Sequence, residues 1–230
     1  MRGIVLLCIA LGLLSAQPVQ GLDPATISAA ASAIIAGSSI AGTSINGLMG
    51  DGYRVTCAIV VENWTKYPLT LPNVRLTGGF LSKPPRAILP SKREAMVARK
   101  TAHTATGSYG TVSWLIQGLN RRVFVMWSAP FNFDHHHNWM GVGLSRSGYV
   151  SHPYGSEVFD QMYYGNSDSN IGFTRDEYYY HSDPAIYSDS DIEVVGTMGT
   201  THKAEVHIIV RPKREQDLAD AIRALLQHKK

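Results

Sequence analysis

Phe124-Val125-Met126-Trp127-Ser128-Ala129-Pro130-Phe131-Asn132-Phe133-Asp134-His135-His136-His137-Asn138-Trp139 is the stretch on which the reading of this 230-residue chain turns. Its first half, Phe124 to Ala129, is a short apolar run with strand character. At Pro130 the run breaks into a loop crowded with aromatic rings, amides and imidazoles. Loops usually carry small polar residues, because exposed aromatic surface is costly and sticky. A loop bearing Phe131, Phe133 and Trp139 therefore either folds back onto its own domain or contacts something amphipathic. A second aromatic cluster, Val158-Phe159-Asp160-Gln161-Met162-Tyr163-Tyr164-Gly165-Asn166, favours contact.

Working outward, segments of the same strand character recur on both sides. They are Arg54 to Glu62, Leu69 to Leu76, Glu94 to Thr101, Thr111 to Gln117, Arg122 to Trp127, Trp139 to Ser145, Glu193 to Gly199 and Lys203 to Arg211. All are short, rich in Val, Ile, Thr and aromatics, and separated by Gly, Pro and Asn clusters. Lys203 to Ile208 alternates as a strand with one wet face does. Such strands predict a mainly β chain: one antiparallel β-sandwich over residues 53–213, with no internal repeat and no linker long enough to split the domain.

The two aromatic stretches together resemble the actinoporins, pore-forming cytolysins of sea anemones with relatives in molluscs. The likeness is carried, in order and spacing, by Met126 to Phe131, Asn138-Trp139 and Tyr163-Tyr164-Gly165-Asn166. Upstream, Arg99-Lys100 and Ala105-Thr106-Gly107 fit the same pattern. The resemblance runs from about Tyr53 to Lys213. It implies a β-sandwich flanked by two helices, the second ending in the Tyr-Tyr pair, which agrees with the strand pattern.

The resemblance also implies a phosphocholine site. Such a headgroup needs ring faces for its quaternary ammonium, each contact worth about 0.5–2 kcal/mol, and donors for its phosphate. Carried over by position, the site comprises Ser128 and Pro130 on the loop and Tyr163 and Tyr164 on the helix, with Thr77, Gly78 and Tyr109 on the other wall. Two positions depart from the family. Its Trp-Tyr pair is His135-His136 here, and the first tyrosine of its short helix is Phe159, which can stack on choline but cannot donate to phosphate. His136 can donate to phosphate through a ring N–H. Trp139, Phe133 and His135 are expected at the membrane interface, and sphingomyelin is the lipid the family implies. Tyr178-Tyr179-Tyr180 either extends this patch or packs in the core, core packing being the simpler reading.

The N-terminal 52 residues read as two parts. Met1-Arg2 and the apolar run Ile4 to Leu14 have the pattern of a signal peptide, with cleavage after Ala16 or Gly21, so residues 1–21 are expected to be removed and the protein secreted. Residues 22–52 then form a candidate pore segment. Ile27, Ala31, Ile34, Ser38, Ala41, Ile45 and Leu48 recur at spacings of four and three, a helical stripe that begins at Asp23-Pro24. Beside it runs a ridge of small residues, Ala25, Ala29, Ala33, Gly37 and Ala41, suited to close helix approach in lipid. Gly37, Gly42 and Gly47 each weaken the helix by about 1 kcal/mol, so in water it needs docking on the domain. A continuous helix of about 26 residues would span about 39 Å, enough to cross a bilayer with tilt. The resemblance implies that it detaches, inserts and lines a homo-oligomeric pore. Ser and Thr replace the family's acidic residues on its polar face, which leaves ion selectivity open. At the other end, residues 214–230 carry an added amphipathic helix with Leu218, Ala219, Ile222, Leu225 and Leu226 on one face, expected to cover the sandwich or a sheet edge.

Composition narrows the alternatives. The net charge is +3, and loss of Arg2 leaves 20 basic against 18 acidic side chains, a balance of +2 that does not suggest a nucleic-acid partner. Of the two cysteines, Cys8 leaves with the signal and Cys57 sits in a strand pattern as a small buried apolar residue. Asn63-Trp64-Thr65 is a formal glycosylation sequon. Adjacent side chains in an extended loop point opposite ways, so His135-His136-His137 is not read as a metal site. No nucleophile context and no phosphate-binding glycine loop is present, so neither an enzyme nor a cofactor is expected. A non-lytic headgroup- or glycan-binding module on the same fold remains the alternative to a pore-former.

Overall fold

The computed structural model describes residues 24–227. In chain order these form α1 (Pro24–Ala33), β1 (Ile35–Ala36), α2 (Ile45–Met49), β2 (Thr56–Asn63), β3 (Leu69–Gly78), β4 (Phe80–Lys83) and β5 (Lys92–Arg99). There follow β6 (Ser108–Ile116), β7 (Arg121–Ala129), β8 (Asn138–Ser145), α3 (Glu157–Tyr164), β9 (Ile171–Tyr178), β10 (Ala185–Ser188), β11 (Ile192–Met198) and β12 (Lys203–Pro212). A 3-10 turn at Glu215–Asp217 leads into α4 (Asp220–Gln227). The signal sequence expected at residues 1–21 lies outside the described residues.

The expected sandwich is present. Seven strands form one sheet in the order β1-β5-β2-β12-β11-β10 with β4 also on β5, and five form the other in the order β3-β6-β7-β8-β9. Pairing is antiparallel except for β1 with β5 and β12 with β2. Period-two alternation decides which residues meet between the layers. Cys57, Ile59 and Val61 of β2 and Val206, Ile208 and Val210 of β12 face Val112, Trp114 and Ile116 of β6 and Val123, Val125 and Trp127 of β7 in one core. Both core indoles find acceptors: Trp114 Nε1 donates to the Arg86 carbonyl at 2.8 Å, and Trp127 Nε1 to Ser108 Oγ at 3.2 Å. The eight strands read from the pattern all form, with ends shifted by a few residues. β1, β4, β9 and β10 were not legible, because they are short or, in β9, interleaved with charged residues.

β2 and β5 are buried on both faces. Their outward residues, Ala58, Val60, Ala95 and Val97, are covered by Ile40, Ile45, Leu48 and Met49 of the N-terminal segment. The continuous helix expected there is therefore corrected. The segment is a helix, a two-residue strand, a turn and a second short helix. The break has a physical cause. Gly37 N donates to the Arg93 carbonyl at 2.7 Å, which continues a parallel ladder, and Gly42 adopts φ +70°. Of the stripe, Ile27 and Ile34 pack with Trp64, Leu218 and Ile222, Ile45 and Leu48 lie on the sheet, and Ala31 and Ala41 are exposed. Among the described residues no helix is long and apolar enough to cross a membrane.

The C-terminal helix is shorter than its stripe predicts: α4 begins only at Asp220, Leu218 and Ala219 precede it in extended chain, and Leu225 is exposed. Leu218, Ala219 and Ile222 close over Trp64 and clasp Ala30 and Ala33 of α1, so the small residues of α1 serve a helix–helix contact within the domain. Asn63 of the sequon is fully buried, and its Nδ2 donates to the carbonyls of Tyr67 at 2.8 Å and Ile88 at 3.1 Å. The folded protein has no room for a glycan there. Cys57 is buried as expected, and burial pushes its thiol pKa up.

Candidate functional site

The outer face of the five-stranded sheet carries the site. Register aligns Gly78, Tyr109, Ser128, Trp139 and Glu177 in one row across β3, β6, β7, β8 and β9. Tyr109 leans over Gly78, where an added Cβ would sit 2.4 Å from the ring, so only glycine leaves the ring its place. α3 lies across this face because Val158, Phe159 and Met162 bury against the outward Phe124 and Met126 of β7. Its C-terminus is closed by Arg175 of β9, whose Nη1 donates to the carbonyls of Met162 at 3.0 Å and Gly165 at 2.6 Å. A cation there also complements the helix dipole.

The helix thus sets a file of rings against the sheet. Tyr109 and Phe159 lie 5.6 Å apart between centroids, Phe159 and Tyr163 stack at 5.3 Å and 16°, and Tyr163 meets Tyr164 edge-on at 4.6 Å. These rings form one wall of a cleft of about 890 Å³. The cleft is also lined by the loop after β7, with Phe131, His135 and His136, and by Arg54 and the 105–107 turn. Burial, with the nearby Tyr164 and Glu177, pushes the Tyr163 hydroxyl pKa up against the opposing effect of its hydrogen bond with Ser128. Tyr163 is therefore a neutral donor at physiological pH. The Arg54 guanidinium lies 4.6 Å from the Phe131 ring centre, and the Lys100 ammonium 5.4 Å from it. The cleft therefore combines aromatic faces with a cation.

Of the residues expected at the headgroup site, the structure brings Tyr109, Ser128, Pro130, His136, Phe159, Tyr163 and Tyr164 together around this one cleft. Thr77 stays outside. It falls at a bulge between the Leu76–Gly110 and Gly78–Tyr109 pairs, which leaves it exposed to solvent. His135, expected at the outer interface, lines the cleft. Trp139 packs against Tyr163 at 5.7 Å, and Phe133 stacks on His202 at 4.1 Å, both half-buried beside the cleft and not within it. Arg99 is turned away to the N-terminal segment, donating to the carbonyls of Leu48 at 3.3 Å and Met49 at 3.0 Å. Arg54 was missed because a lone arginine ahead of a strand carries no local signal. Asn132 and Asp134 also line the cleft, and only their place in the aromatic loop pointed to them.

A polar cluster beneath the approach to α3 was also invisible in sequence. His152 is buried with Nε2 3.0 Å from Thr111 Oγ1 and Nδ1 2.8 Å from Ser113 Oγ. Arg122 Nε donates to the same Ser113 Oγ at 2.8 Å. Burial, then the charges of Arg75 and Arg122, pull the His152 pKa down to about 4. Among the described residues no group of three or more His, Cys, Asp or Glu is placed to hold a metal ion.

Comparison with known proteins bears on the family and the fold. No family model matches the chain. Tereporin-Ca1 of Terebra anilis is 52% identical over 185 residues, spanning 79% of this chain and 97% of that protein. Echotoxin-2 of Monoplex parthenopeus is 43% identical over 202 residues, spanning 87% of this chain and 72% of that one. Among solved structures, the lipid-binding protein Nakanori superposes with a TM-score of 0.53 at 18% identity, over 69% of this chain and 72% of its own, a likeness of fold.

Proposed function

Because this chain belongs to the actinoporin-like pore-forming toxins, we propose that it is a secreted cytolysin that docks on phosphocholine lipids, sphingomyelin among them, through the cleft beside α3. The observation that carries this is the presence of ring faces and a cation in the lining of one cleft. Tyr109, Phe159, Tyr163 and Tyr164 offer π-faces to a quaternary ammonium, while Arg54, His136 and the tyrosine hydroxyls offer donors to a phosphate. Trp139 and Phe133, beside the cleft, suit the interface with their apolar bodies and wet edges.

Pore formation then requires residues 24–49 to leave the sheet, reform as one helix carrying Ile27, Ala31, Ile34, Ala41, Ile45 and Leu48, and assemble with copies of themselves in lipid. Departure uncovers Ile40 and Met49, at about 1.5–3 kcal/mol for each side chain returned to water. Burial of the same residues in hydrocarbon offsets that cost. In lipid every backbone group must find its partner within the segment, which favours the continuous helix over the broken form.

The test is dye release from phosphatidylcholine vesicles with and without sphingomyelin, with vesicle binding followed by sedimentation. Release only with sphingomyelin supports the pore and that lipid preference, and release from both keeps the pore and widens the headgroup site. Ile34→Asp should keep binding and abolish release, and lysis that survives this change would sink the insertion step. A second reading, a headgroup-binding module without a pore, is favoured by the N-terminal segment being built into the sheet through β1. Binding without release would establish it.

A further inference from the structure

Tyr180, in the turn between β9 and β10, is 89% exposed, while its neighbour Tyr178 is fully buried in the core. A single exposed tyrosine is ordinary, but this one is mounted on a fixed pile of rings. Tyr180 meets Tyr179 edge-on at 4.3 Å, and Tyr179 lies flat on His137 at 3.9 Å and 14°. Tyr179 also meets Phe133 edge-on at 6.2 Å, and Phe133 stacks on His202. Both imidazoles are tied down: His137 Nδ1 donates to Glu177 Oε1 at 2.6 Å, and His202 Nε2 donates to the Phe131 carbonyl at 3.0 Å.

The pile is continuous with the cleft. Phe131 and His135 line the cleft from the same loop that supplies Phe133 and His137. On the other side of Glu177, its cross-strand partner Trp139 leads through Tyr163 to Tyr164, itself 74% exposed. Two rows of rings therefore flank one glutamate and end in exposed tyrosines. Arg54 and Lys100 lie at Phe131 on the cleft side, and the charged groups around the Tyr179–Asp183 turn itself are acidic. Asp134 and Asp183 are exposed and Glu177 is partly exposed, with His181 beside Asp183 at 3.7 Å. Anionic headgroups would be repelled by the turn. The ammonium groups that form the outermost layer of a choline-lipid surface would be attracted to it.

We propose that the Tyr179–Asp183 turn is a second membrane-contact element, which lays Tyr180 into the headgroup layer of a zwitterionic, choline-bearing lipid surface when the cleft engages. This rests on the reading of the cleft as a headgroup site. A tyrosine ring is suited to that depth, with an apolar body and a hydroxyl that stays wet. Two separated contacts fix the tilt of the domain on the surface, which one bound headgroup cannot do, and the pile holds Tyr180 in place before contact.

The test uses the full chain with Cys8→Ser and Tyr180→Cys, labelled with an environment-sensitive NBD maleimide. Cys57 is buried and does not compete. Gln117→Cys, in the exposed turn at the opposite end of β6, is the control. Vesicles of phosphatidylcholine with sphingomyelin, and vesicles of phosphatidylglycerol alone, are compared, with sedimentation in parallel. Emission from position 180 is expected to rise at least about twofold on choline vesicles while position 117 stays unchanged, and Tyr180→Ser should weaken partitioning about threefold to tenfold. A silent label at 180 on protein that sediments with choline vesicles overturns the proposal and leaves the cleft reading standing. An equal rise on phosphatidylglycerol overturns the choice of surface. Absence of sedimentation removes the cleft reading and this one together.

Discussion

Glu94 holds Ser39 in place by a bond buried beneath the N-terminal segment: the Ser39 N–H donates to Glu94 Oε2 at 2.8 Å, while Ser39 Oγ accepts from the next backbone N–H of the strand, Ala95, at 2.7 Å. The other carboxylate oxygen accepts the Ser38 N–H at 2.9 Å. The turn after β1 is thereby closed over β5 by one side chain, and Gly37 is the residue that fits there, since an added Cβ would overlap the Glu94 carboxylate.

Glu94→Gln should loosen that turn and little else. An amide can offer only one acceptor oxygen and sets a donor against the other N–H. The loss of a bond to a charged group costs about 1.5–3 kcal/mol. Hydrogen exchange should show the Ser38 and Ser39 amides deprotected by about 10- to 100-fold, with β7 and β8 unchanged. Unchanged protection at 38 and 39 would mean that Glu94 is not the latch.

Gly78→Ala tests the cleft wall without touching any ring directly. The new methyl group would displace Tyr109, and overpacking of this kind costs about 1–3 kcal/mol. Phosphocholine binding, measured by calorimetry, should weaken by about tenfold while the fold survives. Binding at the level of the unaltered protein would take Tyr109 out of the site.

Arg175→Met removes the cap on α3 and keeps the apolar stem of the side chain. Two carbonyls at the helix end lose a charged donor, so the local cost should be about 1.5–3 kcal/mol. Tyr163 and Tyr164 sit in that last turn, so headgroup affinity should fall although Arg175 does not line the cleft. A lowered melting temperature with full affinity would show that the cap matters to the helix alone.

His152 sets a pH dependence. Its folded pKa, about 4, lies below the unfolded value of 6.5, so the unfolded chain binds the proton first as pH falls. The stability is present above pH 6.5, declines between 6.5 and 4, and amounts to about 3 kcal/mol at 1.36 kcal/mol per pKa unit. Urea midpoints should therefore drop between pH 7 and 4.5, and His152→Gln should flatten that drop. The carboxylates held below their usual range, Asp168, Asp189 and Asp217 among them, act only at lower pH. An unchanged pH profile in the variant would assign the acid sensitivity elsewhere.

Much of this was legible in the order of residues. Alternation in segments such as Lys203 to Ile208 depends only on neighbours in the chain, so the eight principal strands and the sandwich could be read directly. The ordered run from Met126 to Asn166 pointed to the family and to most of the cleft. The stripe at Leu218, Ala219 and Ile222 identified a buried C-terminal face, of which only Ile222 belongs to α4.

Tertiary structure decided what depends on partners far away in sequence. The 24–49 stripe has helical period throughout, yet Glu94 and the β5 edge offer its backbone better partners in water, and the helix ends at Ala33 where β1 begins. Thr77 is carried out of the cleft by a bulge that a one-residue mismatch between β3 and β6 creates. Arg54, Phe131 and Tyr163 come from three segments and share a cleft only because β-register and the seat of α3 bring them there. His152 becomes a neutral buried base only once Thr111, Ser113 and two arginines close around it. Local pattern determines which backbone form a segment prefers, whereas the placement of charge, cavity and exposed ring is set by contacts that exist only when the sheets have paired.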